Sequence, residues 1–193
     1  MVSRSSLRIA FCAANDIGSR VIERVVKDQF PIAFIATCAD DSARYEEVIA
    51  KAADAHNIPL LRHANPNSPE FIEFIKEQEI DIMILAWWPG IIKAAAIAAA
   101  RIGWLNMHPS LLPLGRGKHP YYWSMVEGVP HGVSLHFIDA GIDTGPILFQ
   151  REVPIEMTDT GEDVYRRSNE ALFELFLQHY ADVATGQFTP QPQ

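Results

Sequence analysis

Asn106 and His108 stand two residues apart in the run NMHPS, and Asp143 sits between two glycines in GIDTG. Alternate residues of an extended segment share a face, so Asn106 and His108 address one ligand from one side. An amide offers a neutral N–H to a developing oxyanion, and an imidazole with an ordinary pKa of about 6.5 exchanges protons near neutrality. Adding a carboxylate gives the set that acyl transfer to an amine requires: something to hold the oxyanion and something to take the proton. No Ser or Cys nucleophile motif accompanies them, which favours direct attack by the acceptor over a covalent acyl-enzyme. Each residue alone has a plain structural alternative, a hydrogen-bonded core histidine for His108 and a turn former for Asp143; it is their company in Pro- and Gly-punctuated loops that reads as a site.

These residues need a scaffold, and the hydrophobic pattern supplies one. Apolar bursts at 7–12, 32–38, 58–61, 80–86, 103–108, 133–137 and 147–153 predict strands. Between them, helical spacing predicts helices carrying Val21, Ile22, Val25 and Val26; Tyr45, Val48, Ile49 and Ala53 behind Ser42; Phe71, Ile72 and Ile75 behind a Ser68-Pro69 start; and an alanine-rich stretch over 91–100. A last helix beginning at Thr160 carries Leu172, Leu175, Phe176, Tyr180 and Val183, and the tail from about residue 188 reads as loose. Alternating strands and helices with continuous Val- and Ile-rich strands predict an α/β fold: a Rossmann-like, mostly parallel sheet with helices on both faces, in one domain spanning 1–193. Ligands of such sheets gather beyond the carboxyl ends of the strands.

Composition narrows the function. Of 193 residues, 48% are hydrophobic, enough for a core without disulfide or metal. A net charge of −8 argues against a broad nucleic-acid footprint, and no run approaches the roughly 20 apolar residues of a membrane span. Cys12 and Cys38 lie in apolar runs without CxxC spacing and read as small buried hydrophobes, in keeping with a reducing, cytoplasmic setting. His119, His131 and His136 lack metal-like spacing and read as surface or packing residues, so no metal is expected. The abundance of Trp and Tyr points to a homodimer.

The segments NMHPSLLPLGRG and GVSLHFIDAGIDTGPI resemble the signature of the 10-formyltetrahydrofolate-dependent formyltransferases, over a block from about Leu85 to Val153. The resemblance implies that Asn106, His108 and Asp143 form the catalytic triad and that N10-formyltetrahydrofolate is the co-substrate. It also implies a folate slot lined by Leu85, Trp88, Pro89, Gly90 and Ile92 and by Ala140, Gly141 and Asp143. The irregular WWPG turn offers the apolar walls and exposed backbone that a flat heterocycle needs, although Trp87 and Trp88 read equally well as packing aromatics.

The acceptor separates the branches of that family. Asn15, Gly18 and Ser19 open a helix after the first strand and read either as a phosphate cradle or as an ordinary capped turn. Arg116 and Lys118 offer charge to an anionic acceptor or a folate tail, or stand solvated in a loop. Tyr122 and Trp123 suit stacking on a sugar or base, and RGKHPYYWSMVEGVPHG is similar to sugar N-formyltransferases. The expectation is therefore a nucleotide-linked deoxyamino sugar, with glycinamide ribonucleotide as runner-up. A chain of this length is expected to lack the added domains of methionyl-tRNA formyltransferases and formyltetrahydrofolate hydrolases. Hydrolysis and a non-catalytic binding module remain as competing classes.

Overall fold

The computed structural model describes residues 6–39 and 43–193. Its strands follow the order β3-β2-β1-β4-β5-β6-β7, and the chain divides into two compact units, 1–105 with 184–186 and 106–183 with 187–193.

In the first unit, β1 (Ile9–Ala13) pairs in parallel with both β2 (Ile35–Ala36) and β4 (Ile82–Ala86), and β2 pairs in parallel with β3 (Leu60–Leu61). Every residue of β1 and β4 is buried, which is why neither strand alternates in sequence: both faces of a central parallel strand are covered. The expected second strand over 32–38 is shorter, but its flanks still bond to their neighbours, from Ala33 N–H to Ile9 carbonyl at 2.8 Å and from Thr37 N–H to Leu61 carbonyl at 2.9 Å. Helix α1 (Asn15–Lys27) buries Ile17, Val21, Ile22, Val25 and Val26, one stripe of a 3.6-residue repeat. Helix α2 (Ala43–Ala55) follows; its expected lead-in Ser42 lies outside the described residues. Helix α3 (Pro69–Glu77) starts where Ser68 Oγ accepts the Phe71 N–H at 3.2 Å, with Pro69 in the first turn, as the sequence predicts.

The alanine-rich helix is the main departure. It was expected over 91–100, but α4 covers only Ala94–Ile97. Asn67 takes the backbone of Ile91 and Lys93, holding the lead-in outside the helix, and Trp104 Nε1 donates to the Ala96 carbonyl at 2.8 Å, taking an acceptor that a longer helix would use.

The division between units falls inside β5 (Gly103–His108). In the second unit, α5 spans Pro120–Glu127, and β6 (Gly132–Phe137) pairs antiparallel with β7 (Ile147–Glu152) around an irregularity between Leu135 and His136. Helix α6 (Gly161–Ala184) begins behind a reciprocal cap: Asp163 N–H donates to Thr160 Oγ1 while the Asp163 carboxylate accepts from Thr160 N–H. The expected stripe of Leu172, Leu175, Phe176, Tyr180 and Val183 is buried. The tail is not loose. Gln191 exchanges two 2.8 Å backbone bonds with Ile147, and Phe188 lies 5.8 Å from Phe137, ring to ring. No helix among the described residues is long and apolar enough to cross a membrane.

Candidate active site

The second unit builds a largely buried polar cluster from three segments, with His108 and His136 buried and Asn106 and Asp143 half-buried. Asn106 and His108 come from the end of β5, His136 from β6, and Asp143 from the loop between β6 and β7. His108 Nδ1 lies 3.7 Å from one Asp143 oxygen and His136 Nε2 lies 3.6 Å from the other. Asn106 Nδ2 is 3.2 Å from His136 Nε2, and the rings of His108 and His136 meet edge to face at 5.9 Å. Of the three expected residues, His108 and Asp143 lie side by side, and Asn106 is joined to them through His136.

Backbone carbonyls fix the tautomers, because a carbonyl only accepts. His136 Nδ1 faces the Phe137 carbonyl at 2.9 Å and carries the proton, leaving Nε2 to accept from the Asn106 amide. That bond orients Asn106 and leaves its second N–H for a ligand. His108 Nε2 donates to the Gly115 carbonyl at 3.0 Å, so in the neutral ring the Nδ1 lone pair faces Asp143. At 3.7 Å this is too far for a direct hydrogen bond; two acceptors converge on a gap suited to a shared proton or an amine. Burial lowers the proton affinity of His108 below the ordinary 6.5, against the pull of Asp143 and Gly115, so the imidazole is neutral at pH 7. For Asp143, burial acts to raise the pKa, yet the carboxyl is held below 3.8 and ionised; with both imidazoles neutral in these tautomers, the Gly117 N–H is the donor that favours the charge.

The loops that hold these groups are tightly specified. Ser134 of β6 donates to the Ser110 carbonyl at 2.7 Å and accepts from the Leu112 N–H and the Gln150 amide, which also donates to the Leu112 carbonyl. This hub folds the SLLP loop back so that Gly115, at φ +64°, reaches His108, and the Gly117 N–H donates to Asp143 at 2.9 Å. In the second loop, Asp139 accepts from Gly141 N–H and Thr144 hydroxyl. Gly145 sits where a Cβ would overlap the Phe137 carbonyl oxygen, and Asp143 itself adopts φ +51°. The Gln193 amide, near the end of the supposedly loose tail, donates to the Asp143 and Gly145 carbonyls and accepts both contacts from the Arg116 guanidinium.

His136 corrects the sequence reading. It is fully buried and lies against both Asn106 and Asp143, so it is more than the surface or packing residue that its lack of metal-like spacing suggests; its separation of two from Ser134 on β6 is the available signal. His131 is a packing residue as expected, bonded to Ser124 and Ser168. His119 and Lys118 are exposed.

In the first unit the expected phosphate cradle is only in part at the surface. Gly18 is buried against Ala86, where a Cβ would come within 2.6 Å of the carbonyl oxygen, and the buried Ser19 hydroxyl donates to the Asp16 carbonyl. Close packing and helix bonding therefore account for both, while Asn15 is half-buried at φ +59°. Of the expected folate residues, Leu85 and Ile92 are buried, Trp88 is half-buried, and Pro89 and Gly90 are exposed, following a left-handed Trp87 at φ +61°. In the second unit Ala140 and Gly141 are exposed, as are Tyr122 and Trp123, whose rings lie 5.3 Å apart at 79°. Cys12 and Cys38 are buried thiols, and burial pushes Cys12 well above its ordinary value.

Residues 8–179 match the model of a family described as formyl transferase. The chain is 28% identical to the methionyl-tRNA formyltransferase of Syntrophus aciditrophicus over 98% of its own length and 62% of that protein's, so it spans under two thirds of this relative. Its fold superposes with a TM-score of 0.81 on a sugar N-formyltransferase from Shewanella, at 23% identity over 97% of this chain and 73% of that one. The TM-score is 0.79 with the phosphoribosylglycinamide formyltransferase of Anaplasma phagocytophilum, at 23% identity over 97% of this chain and 94% of that one.

Proposed function

The chain belongs to the formyl transferase family, and on that premise we propose that it transfers a formyl group from N10-formyltetrahydrofolate to a primary amine, most favourably the amino group of a nucleotide-linked deoxysugar. The observation that carries this reading is the convergence of Asn106, His108 and Asp143 with neutral and ionised states matched to their tasks. N10-formyltetrahydrofolate supplies an activated one-carbon carbonyl. The free N–H of Asn106 stabilises the oxygen that gains charge as the amine attacks. Asp143 and the Nδ1 lone pair of His108 together receive the amine proton, and the imidazolium so formed returns it to the departing nitrogen. No side chain need become acylated.

For the donor, the residues proposed in the first unit are Leu85, Trp88, Pro89, Gly90 and Ile92, and, taken separately, those proposed in the second unit are Ala140, Gly141 and Asp143. For the acceptor, the exposed Tyr122 and Trp123 pair begins five residues after Gly117 and presents two aromatic faces suited to a base or sugar. The charge of −8 disfavours a polyanionic tRNA.

The test offers the formyl donor with nucleotide-linked amino sugars, glycinamide ribonucleotide, methionyl-tRNA or no amine, and follows the absorbance of the folate product. Turnover with an amino sugar is expected. Turnover with another amine alone overturns the acceptor, and equal formate release without any amine overturns transfer in favour of hydrolysis.

A further inference from the structure

Outside the catalytic cluster, one amide in the first unit makes two backbone contacts that no helix or strand accounts for. Asn67 Nδ2 donates to the Ile91 carbonyl at 2.8 Å, and Asn67 Oδ1 accepts the Lys93 N–H at 2.7 Å. A residue in a parallel ladder does the same, bonding the carbonyl before and the N–H after the residue opposite it. The side chain of Asn67 thus replaces a neighbouring strand for a segment that has none. Successive residues of extended backbone turn their polar groups to opposite edges, so with Ile91 and Lys93 bonded to Asn67, the N–H and C=O of Ile92 face away from it. Neither meets a protein partner among the described residues.

The clasp has a firm base. Asn65 Oδ1 accepts the Asn67 N–H at 3.1 Å, the Ser68 N–H donates to the Asn65 carbonyl at 3.0 Å, and Ser68 caps α3. What it holds is otherwise weakly determined. From Trp87 to Lys93 there is neither helix nor strand, Trp87 is left-handed, Ile91 is 79% exposed, and α4 beyond is a single turn. Two side-chain bonds at one point are therefore a large share of what orders the turn.

We propose that Asn67 is a positioning residue for the formyl donor: by clasping Ile91 and Lys93 it sets the course of the 87–93 turn and the direction in which Ile92 presents its backbone donor and acceptor. This rests on the assignment of that turn to the donor slot. Asn67 does not itself touch the donor, and it acts on donor affinity alone.

The experiment uses the full chain with 5-formyltetrahydrofolate, a stable analogue of the donor, titrated against tryptophan fluorescence. Loss of both bonds in Asn67→Ala, or of the donor bond in the isosteric Asn67→Asp, is expected to weaken binding about tenfold to a hundredfold, one decade per 1.4 kcal/mol. Amide exchange of 90–94 is expected to quicken, while the KM for the amine acceptor and kcat at saturating donor stay unchanged. If Asn67→Ala does not fold, Asn67→Asp decides. Unchanged donor affinity in a folded variant overturns the role of Asn67. Wild-type protein that fails to bind the analogue overturns the slot assignment as well, and the two failures are told apart by the wild-type titration.

Discussion

Replacing Asp143 by asparagine separates charge from shape at the centre of the site. Asparagine retains an oxygen for the Gly117 N–H and tolerates the left-handed backbone at φ +51°, so the loop is expected to stay in place. What disappears is the ionised group 3.7 Å from His108 and 3.6 Å from His136. If Asp143 and His108 share the acceptor proton, kcat should fall by about 10² to 10⁴, the range for a positioned acid or base, or roughly 3–5 kcal/mol of barrier. The pH profile gives a second, signed readout. Burial lowers the His108 pKa while Asp143 raises it, so removing the carboxylate leaves burial less opposed and lowers it further. The acid limb of kcat should lie below pH 6.5 in the wild type and move to lower pH in the variant. The assay is kcat from pH 5 to 9 at saturating donor and amine, with urea unfolding to establish that the variant is folded. Activity within about threefold of wild type, against the 10² that such a group contributes, or a limb displaced upward, would refute the reasoning.

Two further outcomes are expected. His136→Leu removes the acceptor that orients Asn106, and one lost hydrogen bond of about 1–2 kcal/mol should lower kcat about fivefold to thirtyfold, with His136→Gln recovering part of it; equal kcat in folded His136→Leu, measured by the same turnover assay, means Asn106 is held by other contacts. His131, pushed down to about 4 by burial, stays neutral in the fold, so the unfolded chain takes the proton first: its stabilising contribution is complete above pH 6.5 and is lost as pH falls toward 4, up to roughly 3 kcal/mol. Urea midpoints across that window should fall less steeply for His131→Gln than for wild type, and parallel slopes would exclude His131 as the cause.

Where one residue type decides the outcome, the sequence was a sufficient guide. The uninterrupted apolar runs of β1 and β4 specify central parallel strands, and the two-residue spacing of Asn106 and His108 specifies a shared face. Features set by distant partners were hidden. The alanine run looked helical over 91–100 because helix propensity is local, whereas Asn67 and Trp104 intervene from 24 to 26 and 8 residues away. His136 was invisible as a site residue because its partner Asn106 lies 30 residues earlier, on another strand. The tail looked loose from its Pro and Gln content, while its order comes from Ile147, Asp143, Gly145 and Arg116.

The left-handed backbone at Asp143 is kept at a position where glycine would sit without strain. Glycine would relieve the backbone there, whereas the lowered pKa of Asp143 and its bond from the Gly117 N–H mean that the fold favours the ionised carboxylate, so strain and charge pull stability in opposite directions at this residue. A thermostability screen of this chain run without an activity filter would show which of the two, backbone strain or carboxylate charge, dominates at residue 143.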